Sequence, residues 1–159
     1  MYLGWLIPFL ILLPNLLWML FPPRGAPAAV KVERSRFVRL MEVVEWIGRI
    51  GCLVIPLFFR VEVQSGWQIG ALGVMAAALL LYYAGWARYF VRRRARRLLF
   101  EPLLGVPLPL AVAPIVWFLA AAVLLGSWPM AISALVLAAG HLVLTQQASR
   151  ALGKRPPAG

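Results

Sequence analysis

Glu42, Glu45 and Arg49 lie inside a stretch, Leu40 to Phe59, that is otherwise apolar enough and long enough to cross a bilayer. At about 100° per helical residue, positions 42, 45, 49, 52 and 56 fall on one stripe. Two carboxylates, one guanidinium and the only cysteine, Cys52, therefore share a face. Carboxylates can hold a cation or exchange a proton, and a guanidinium can hold a carboxylate or phosphate. An Arg near the centre of a span costs about 2.5–3.5 kcal/mol, and each Leu, Ile, Val or Phe returns only about 0.3–0.6 kcal/mol. The segment is close to break-even alone, so its charged stripe must face other protein.

Ionisable side chains within a membrane are functional candidates. A purely structural reading competes: Glu45 and Arg49 stand i, i+4 in the favourable order and can neutralise one another. Glu42 is then the carboxylate that Arg49 cannot also compensate, unless Arg88 or another basic residue of the inner loops reaches it. His141, the only histidine, serves either as a hydrogen-bonded core residue or as an acid and base beside Glu42 or Glu45. Cys52 reads as a small packing residue.

The elements that must position these groups follow from composition. The 159 residues are 63% hydrophobic and 13% charged, against about a quarter charged in a soluble domain. Five apolar runs of spanning length predict an all-α membrane protein, a small bundle of five transmembrane helices. The expected helices cover about 2–21, 38–59, 67–91, 108–125 and 130–148, within a single domain of residues 1–150 followed by a polar tail, 151–159. The net charge of +11 sits mainly in Arg24 to Arg39, Arg88 to Arg97 and Arg150 to Arg155, the connections after the first, third and fifth runs. By the positive-inside rule this gives N-terminus out, C-terminus in, and an inner, cytoplasmic membrane of bacterial type as the expected location. That placement assigns the basic excess to topology and anionic lipid and leaves no role for nucleic acid. Arg92, Arg93, Arg94, Arg96 and Arg97, followed by Leu98-Leu99-Phe100, predict a segment lying on the inner leaflet and touching anionic lipid.

The first run, Tyr2 to Phe21, lacks the basic start of a signal peptide and reads as a retained helix. Pro8 and Pro14 within it free backbone carbonyls that need other partners. Gly66, Gly70, Gly73 and Ala77 line one side of the third helix and predict close backbone approach, within the bundle or between copies. Further along, Tyr82, Trp86 and Tyr89 share a face. An aromatic belt at the membrane interface accounts for Trp86 and Tyr89, whereas Tyr82 lies deeper.

Depth ties these residues together. At about 1.5 Å per residue from the cytoplasmic end, Glu42 is about 5 Å in, Glu45 about 10 Å and Arg49 about 15 Å. His141 and Asn15 are each about 10 Å in, and Tyr82 slightly deeper. A ligand site of Asn15, Glu42, Glu45, Arg49, Tyr82, Trp86 and His141 is therefore expected in the cytoplasmic half of the bilayer, closed on the outside by apolar packing.

No P-loop, Rossmann glycine pattern or HExxH is present, and one His with one Cys cannot build a usual zinc or haem site. No cofactor and no metal are expected. The string Glu45-Trp46-Ile47-Gly48-Arg49 resembles the ExxxR part of the CAAX-type intramembrane protease motif. That pattern has a second Glu where this chain has Val44, and histidines in later helices of which only His141 is available. The resemblance covers five residues and carries no assignment.

Three functions are weighed. The leading one is a protein that binds, and by extension transports, a small amphiphile or lipid headgroup, with Glu42 on a cationic group or coupling proton and Arg49 on an anionic one. The second is an intramembrane enzyme acting on a lipid-like substrate through Glu42 or Glu45 and His141. The third is an accessory subunit, assembling as a homo-oligomer or in a larger membrane complex through the charged stripe or the glycine face.

Overall fold

The computed structural model describes residues 3–22, 35–92 and 94–153. Five α-helices form, and no strand among the described residues: α1 Leu6–Leu20, α2 Arg36–Val54, α3 Gly66–Val91, α4 Pro109–Leu124 and α5 Trp128–Gly153. Local chemistry sets their ends. Ser35 caps α2 by accepting the Val38 N–H at 3.2 Å. At the start of α3, Gln68 Oε1 accepts the Ser65 N–H at 3.1 Å, and Gln68 Nε2 donates to the Leu124 carbonyl at 3.0 Å. One glutamine thus begins α3 and satisfies an open carbonyl where α4 ends. Pro56 turns the end of α2 into a short 3₁₀ turn, Ile55–Phe58. Between α3 and α4 the chain makes a second 3₁₀ turn, Arg96–Leu99, then a tight turn through Leu104 and Gly105, both at positive φ.

Only α3 and α5 are long and apolar enough, by length and composition, to cross a membrane. α1 and α4 are apolar but shorter, at 15 and 16 residues. Five crossings therefore do not follow from helix length alone. α2 packs on α5, α5 on α4, and α4 on α3, while α1 lies more lightly against α2, α3 and α4. α4 is the most enclosed helix, burying Ala113, Trp117, Phe118 and Ala121 among others. The outward surface is apolar in turn: Leu16, Leu20, Trp46, Ile47, Ile69, Leu80 and Leu135 are all exposed.

Close approach is carried by glycines other than those of the α3 stripe. A Cβ on Gly48 would stand 2.2 Å from the Leu137 backbone nitrogen, and one on Gly140 would stand 2.6 Å from that of Glu45. These two glycines seat α2 directly on α5. Around Gly66, Gly70 and Gly73 a Cβ would meet nothing within 4 Å, and Ala77 is exposed. The expected packing of this stripe inside the bundle is thus not what forms: α3 turns Ala71, Met75, Ala78 and Tyr82 inward instead.

α1 is fastened through its own main chain. Pro14 has no N–H, which leaves the Leu10 carbonyl without its helical donor, and Tyr83 Oη donates to that oxygen at 2.9 Å. Trp117 Nε1 donates to the Ile7 carbonyl at 3.0 Å, and Tyr82 Oη to the Ile11 carbonyl at 3.3 Å. The one partner that Pro14 requires is supplied by α3 through Tyr83; the bonds from Trp117 and Tyr82 add to carbonyls that keep their helical donors.

Candidate functional site

The polar residues of α2 meet α5 because Gly48 and Gly140 let the two backbones close on each other. Arg49 lies one turn beyond Glu45, and its Nη2 donates to Glu45 Oε1. His141 Nδ1 donates to the same oxygen at 2.8 Å, from a residue 96 positions away in sequence. An ionised carboxylate only accepts, so this contact puts a proton on Nδ1 and leaves Nε2 as the ring nitrogen without a protein partner among the described residues. The Arg49 guanidinium also lies 5.5 Å from the Trp46 ring centroid, within cation–π range.

A second polar cluster faces it. Asn15 Nδ2 donates to Tyr82 Oη at 3.0 Å and to the Ile11 carbonyl at 3.1 Å. Tyr82 is 2% exposed and Trp86 7% exposed, with their rings edge to face at 6.2 Å. Tyr89 follows at 5.6 Å from Trp86 and is fully buried. Trp86 and Tyr89 thus belong to the interior of the bundle, where an interfacial belt was the expectation. Among the described residues, Trp86 Nε1 and Tyr89 Oη are buried without a well-formed hydrogen bond.

Between the two clusters runs a cleft of about 420 Å³, within the size range of ligand pockets. Asn15, Arg49, Tyr82, Trp86, His141 and Thr145 supply its polar and aromatic wall. Leu53, Leu110, Pro114, Phe118 and Leu137 make up much of the remainder. Five of the seven expected site residues therefore share one cleft. Glu42 and Glu45 do not line it: Glu45 stands behind Arg49 and His141, and Glu42 is half-buried one turn earlier on the same stripe. The lining residues of α1, α3 and α4 lie toward the ends of those helices that adjoin the basic connections, those of α5 lie around its middle, and Arg49 and Leu53 come from the far half of α2; Leu99 and Phe100 also line the cleft.

No protein-family model, curated protein or solved structure matches the chain. The geometry alone carries the functional argument.

The segment after α3 is organised by Arg88, a role that sequence reading missed. Its Nη2 donates to the Leu98 and Glu101 carbonyls at 3.0 and 2.9 Å, and its Nη1 to the Pro102 carbonyl at 3.0 Å. Arg88 thus grips the chain that carries Leu99 and Phe100, and among the described residues its partners are these carbonyls and no carboxylate. Of the arginines assigned to anionic lipid, Arg92 is exposed, Arg94 stacks on Phe21 at 5.9 Å, and Arg97 pairs with Glu101 at 2.9 Å while its side chain stays 80% exposed. Arg93, the Arg96 side chain, Arg24 and residues 154–159 lie outside the described residues. Cys52 is fully buried in the apolar core, a packing position. Among the described residues, no three His, Cys, Asp or Glu side chains come together as metal ligands.

Proposed function

We propose that this chain is an integral membrane protein that binds a small amphiphile in a cleft opening toward the cytoplasmic half of the bilayer. The observation that carries the reading is the convergence of Asn15, Arg49, Tyr82, Trp86 and His141, from four helices, on one otherwise apolar cleft. An amphiphile needs such a wall: donors at one place and hydrocarbon over the rest. The exposed Leu, Ile, Phe and Trp side chains around the bundle support a lipid surround, because water-soluble monomers rarely expose contiguous apolar surface on this scale.

The topology that goes with this reading has five crossings, N-terminus out and C-terminus in, in an inner membrane. The charge distribution supports it, since basic residues gather where the first, third and fifth helices end. α1 and α4 cross as short helices, about 22–24 Å long, with flanking residues completing the span. Reporter fusions at Gly159 and within Arg60 to Gly66 are expected to report opposite sides.

The binding reading is tested by native mass spectrometry of the protein released from membranes. A lipid-sized adduct is expected on the native chain and is expected to be lost from Thr145→Trp, which places an indole in the cleft. An adduct retained by Thr145→Trp, or a native chain without one, counts against the cleft as a binding site.

The 2.8 Å contact between His141 and Glu45 favours a second reading, an intramembrane enzyme acting on a lipid-like substrate. Glu45 would orient the imidazole, and Nε2 would serve as the base toward the cleft. Turnover of a bound lipid that ceases in His141→Asn separates this reading from binding alone.

A further inference from the structure

The wall of the cleft limits the charge its occupant can carry. Both carboxylates of α2 are absent from that wall, while Arg49 and His141 are on it. Glu45 Oε1 is already engaged by Arg49 Nη2 and His141 Nδ1, so the acid orients its two partners and presents only them to the cleft. Arg49 uses one of its five N–H donors on Glu45, and its side chain is 42% exposed. The Trp86 indole N–H is a further donor in the same wall, buried beside Tyr82. The cleft is therefore rich in donors, and its acidic member is screened from it.

Charge balance gives the same answer. Arg49 and Glu45 cancel, so a cationic occupant would leave one uncompensated positive charge beside the guanidinium in an apolar surround, an arrangement of high cost. An acidic occupant leaves none. Its O–H bond breaks, the proton goes to the Nε2 lone pair, and the resulting oxyanion faces imidazolium and guanidinium with Glu45 behind them. Two positive and two negative groups then close the account. Tyr82 is the other titratable group on the cleft wall; Glu42, one turn before Glu45, is off that wall and engaged in an interaction of its own, so it stays outside this count.

We infer that the cleft takes an acyl or alkyl chain bearing one anionic oxygen headgroup, a carboxylate or a phosphate, seated against Arg49 and Nε2 of His141 with its chain along Leu110, Pro114, Phe118 and Leu137. This rests on the amphiphile-binding reading above and replaces Glu42 by Arg49 and His141 as the groups that meet the headgroup.

The test uses the full chain in nanodiscs of phosphatidylcholine, photo-labelled with a diazirine-bearing dodecanoic acid and mapped by mass spectrometry. Labelling is expected within Leu110–Phe118 and Leu137–Thr145. Unlabelled dodecanoate and dodecyl phosphate are expected to compete at concentrations about tenfold below methyl dodecanoate or dodecylamine, as charge-assisted bonds to the headgroup require. Arg49→Gln is expected to erase that difference, and Arg49→Lys, which keeps the charge should the glutamine variant fail to fold, to retain part of it. If all four competitors act alike on the native chain, the headgroup assignment is overturned and the cleft remains a binding site for chains. If no probe labels the cleft, the binding reading itself fails. If inorganic phosphate competes as well as dodecyl phosphate, the occupant is a free anion and the chain-bearing part of the inference is overturned.

Discussion

The Leu137 backbone nitrogen lies 2.2 Å from where a Cβ on Gly48 would stand, so α2 and α5 touch at main chain with no side chain between them. That proximity brings the Glu45 carboxylate within hydrogen-bond reach of His141.

Gly48→Ala should therefore push α2 off α5. The expected loss of stability is about 1–3 kcal/mol, the usual cost of forcing atoms into a close-packed contact. Gly70→Ala is the matched control, because a methyl there meets nothing within 4 Å. It should be neutral, or stabilising by up to about 1 kcal/mol through helix propensity. Thermal unfolding of both variants in the same detergent decides the matter, and equal behaviour would contradict the contact.

Glu45 and His141 should be energetically coupled. His141→Asn and Glu45→Gln are each expected to cost about 1–3 kcal/mol, since either removes or weakens a charge-assisted bond between half-buried groups. The double variant should cost less than the sum by about 0.5–3 kcal/mol. Additive losses in a double-mutant cycle would mean that the two groups do not share a bond.

The bond from Tyr83 to Leu10 is predicted to matter only because of Pro14. Tyr83→Phe should cost about 0.5–1.5 kcal/mol in the native chain. In a Pro14→Ala background the helix regains its own donor for that carbonyl, and the same substitution should cost close to nothing. A Tyr83→Phe penalty unchanged by Pro14→Ala would refute the pairing.

Arg88 should control the segment over the cleft rim. Arg88→Gln removes the guanidinium that holds the Leu98, Glu101 and Pro102 carbonyls. Hydrogen exchange of the amides from Leu98 to Val106 is expected to speed up by about tenfold or more, corresponding to about 1.4 kcal/mol or more of local stabilisation lost. Exchange in α5 should stay as it was.

What could be read from the sequence, and what could not, follows from how far each signal reaches. Glu42, Glu45, Arg49, Asn15 and His141 stood out because polar atoms are costly in an apolar run, and that cost also required them to face protein. Shared depth then predicted their proximity, which needs only helix rise and chain direction. Their division into wall and backing was not legible: whether Glu45 meets the cleft or stands behind Arg49 is decided by rotamers and by the Gly48–Gly140 contact. Glycine spacing failed for a related reason. Gly66, Gly70 and Gly73 say that a backbone can approach α3, and nothing in their spacing says that one does. Tyr83 was not legible as the donor, although the carbonyl freed by Pro14 announced that some donor had to come; Trp117 stands out in the fourth apolar run, but nothing in the sequence aims it at Ile7. Arg88 entered the reading only as one basic residue that could reach Glu42, when the carbonyls of an irregular segment were the nearer demand.

The fastening of α1 has a consequence for how this protein can change over time. Three of its attachment points are oxygens that every amino acid carries, at Ile7, Leu10 and Ile11, and the donors to them are side chains of the receiving helices; Asn15 adds one bond from α1 itself, to Tyr82. Replacement of a residue of α1 other than Pro14 leaves those anchor points where they were. At the outward positions of α1, away from the buried Ile7, Ile11 and Pro14, changes of side chain are expected to be tolerated better than changes at Tyr82, Tyr83 or Trp117.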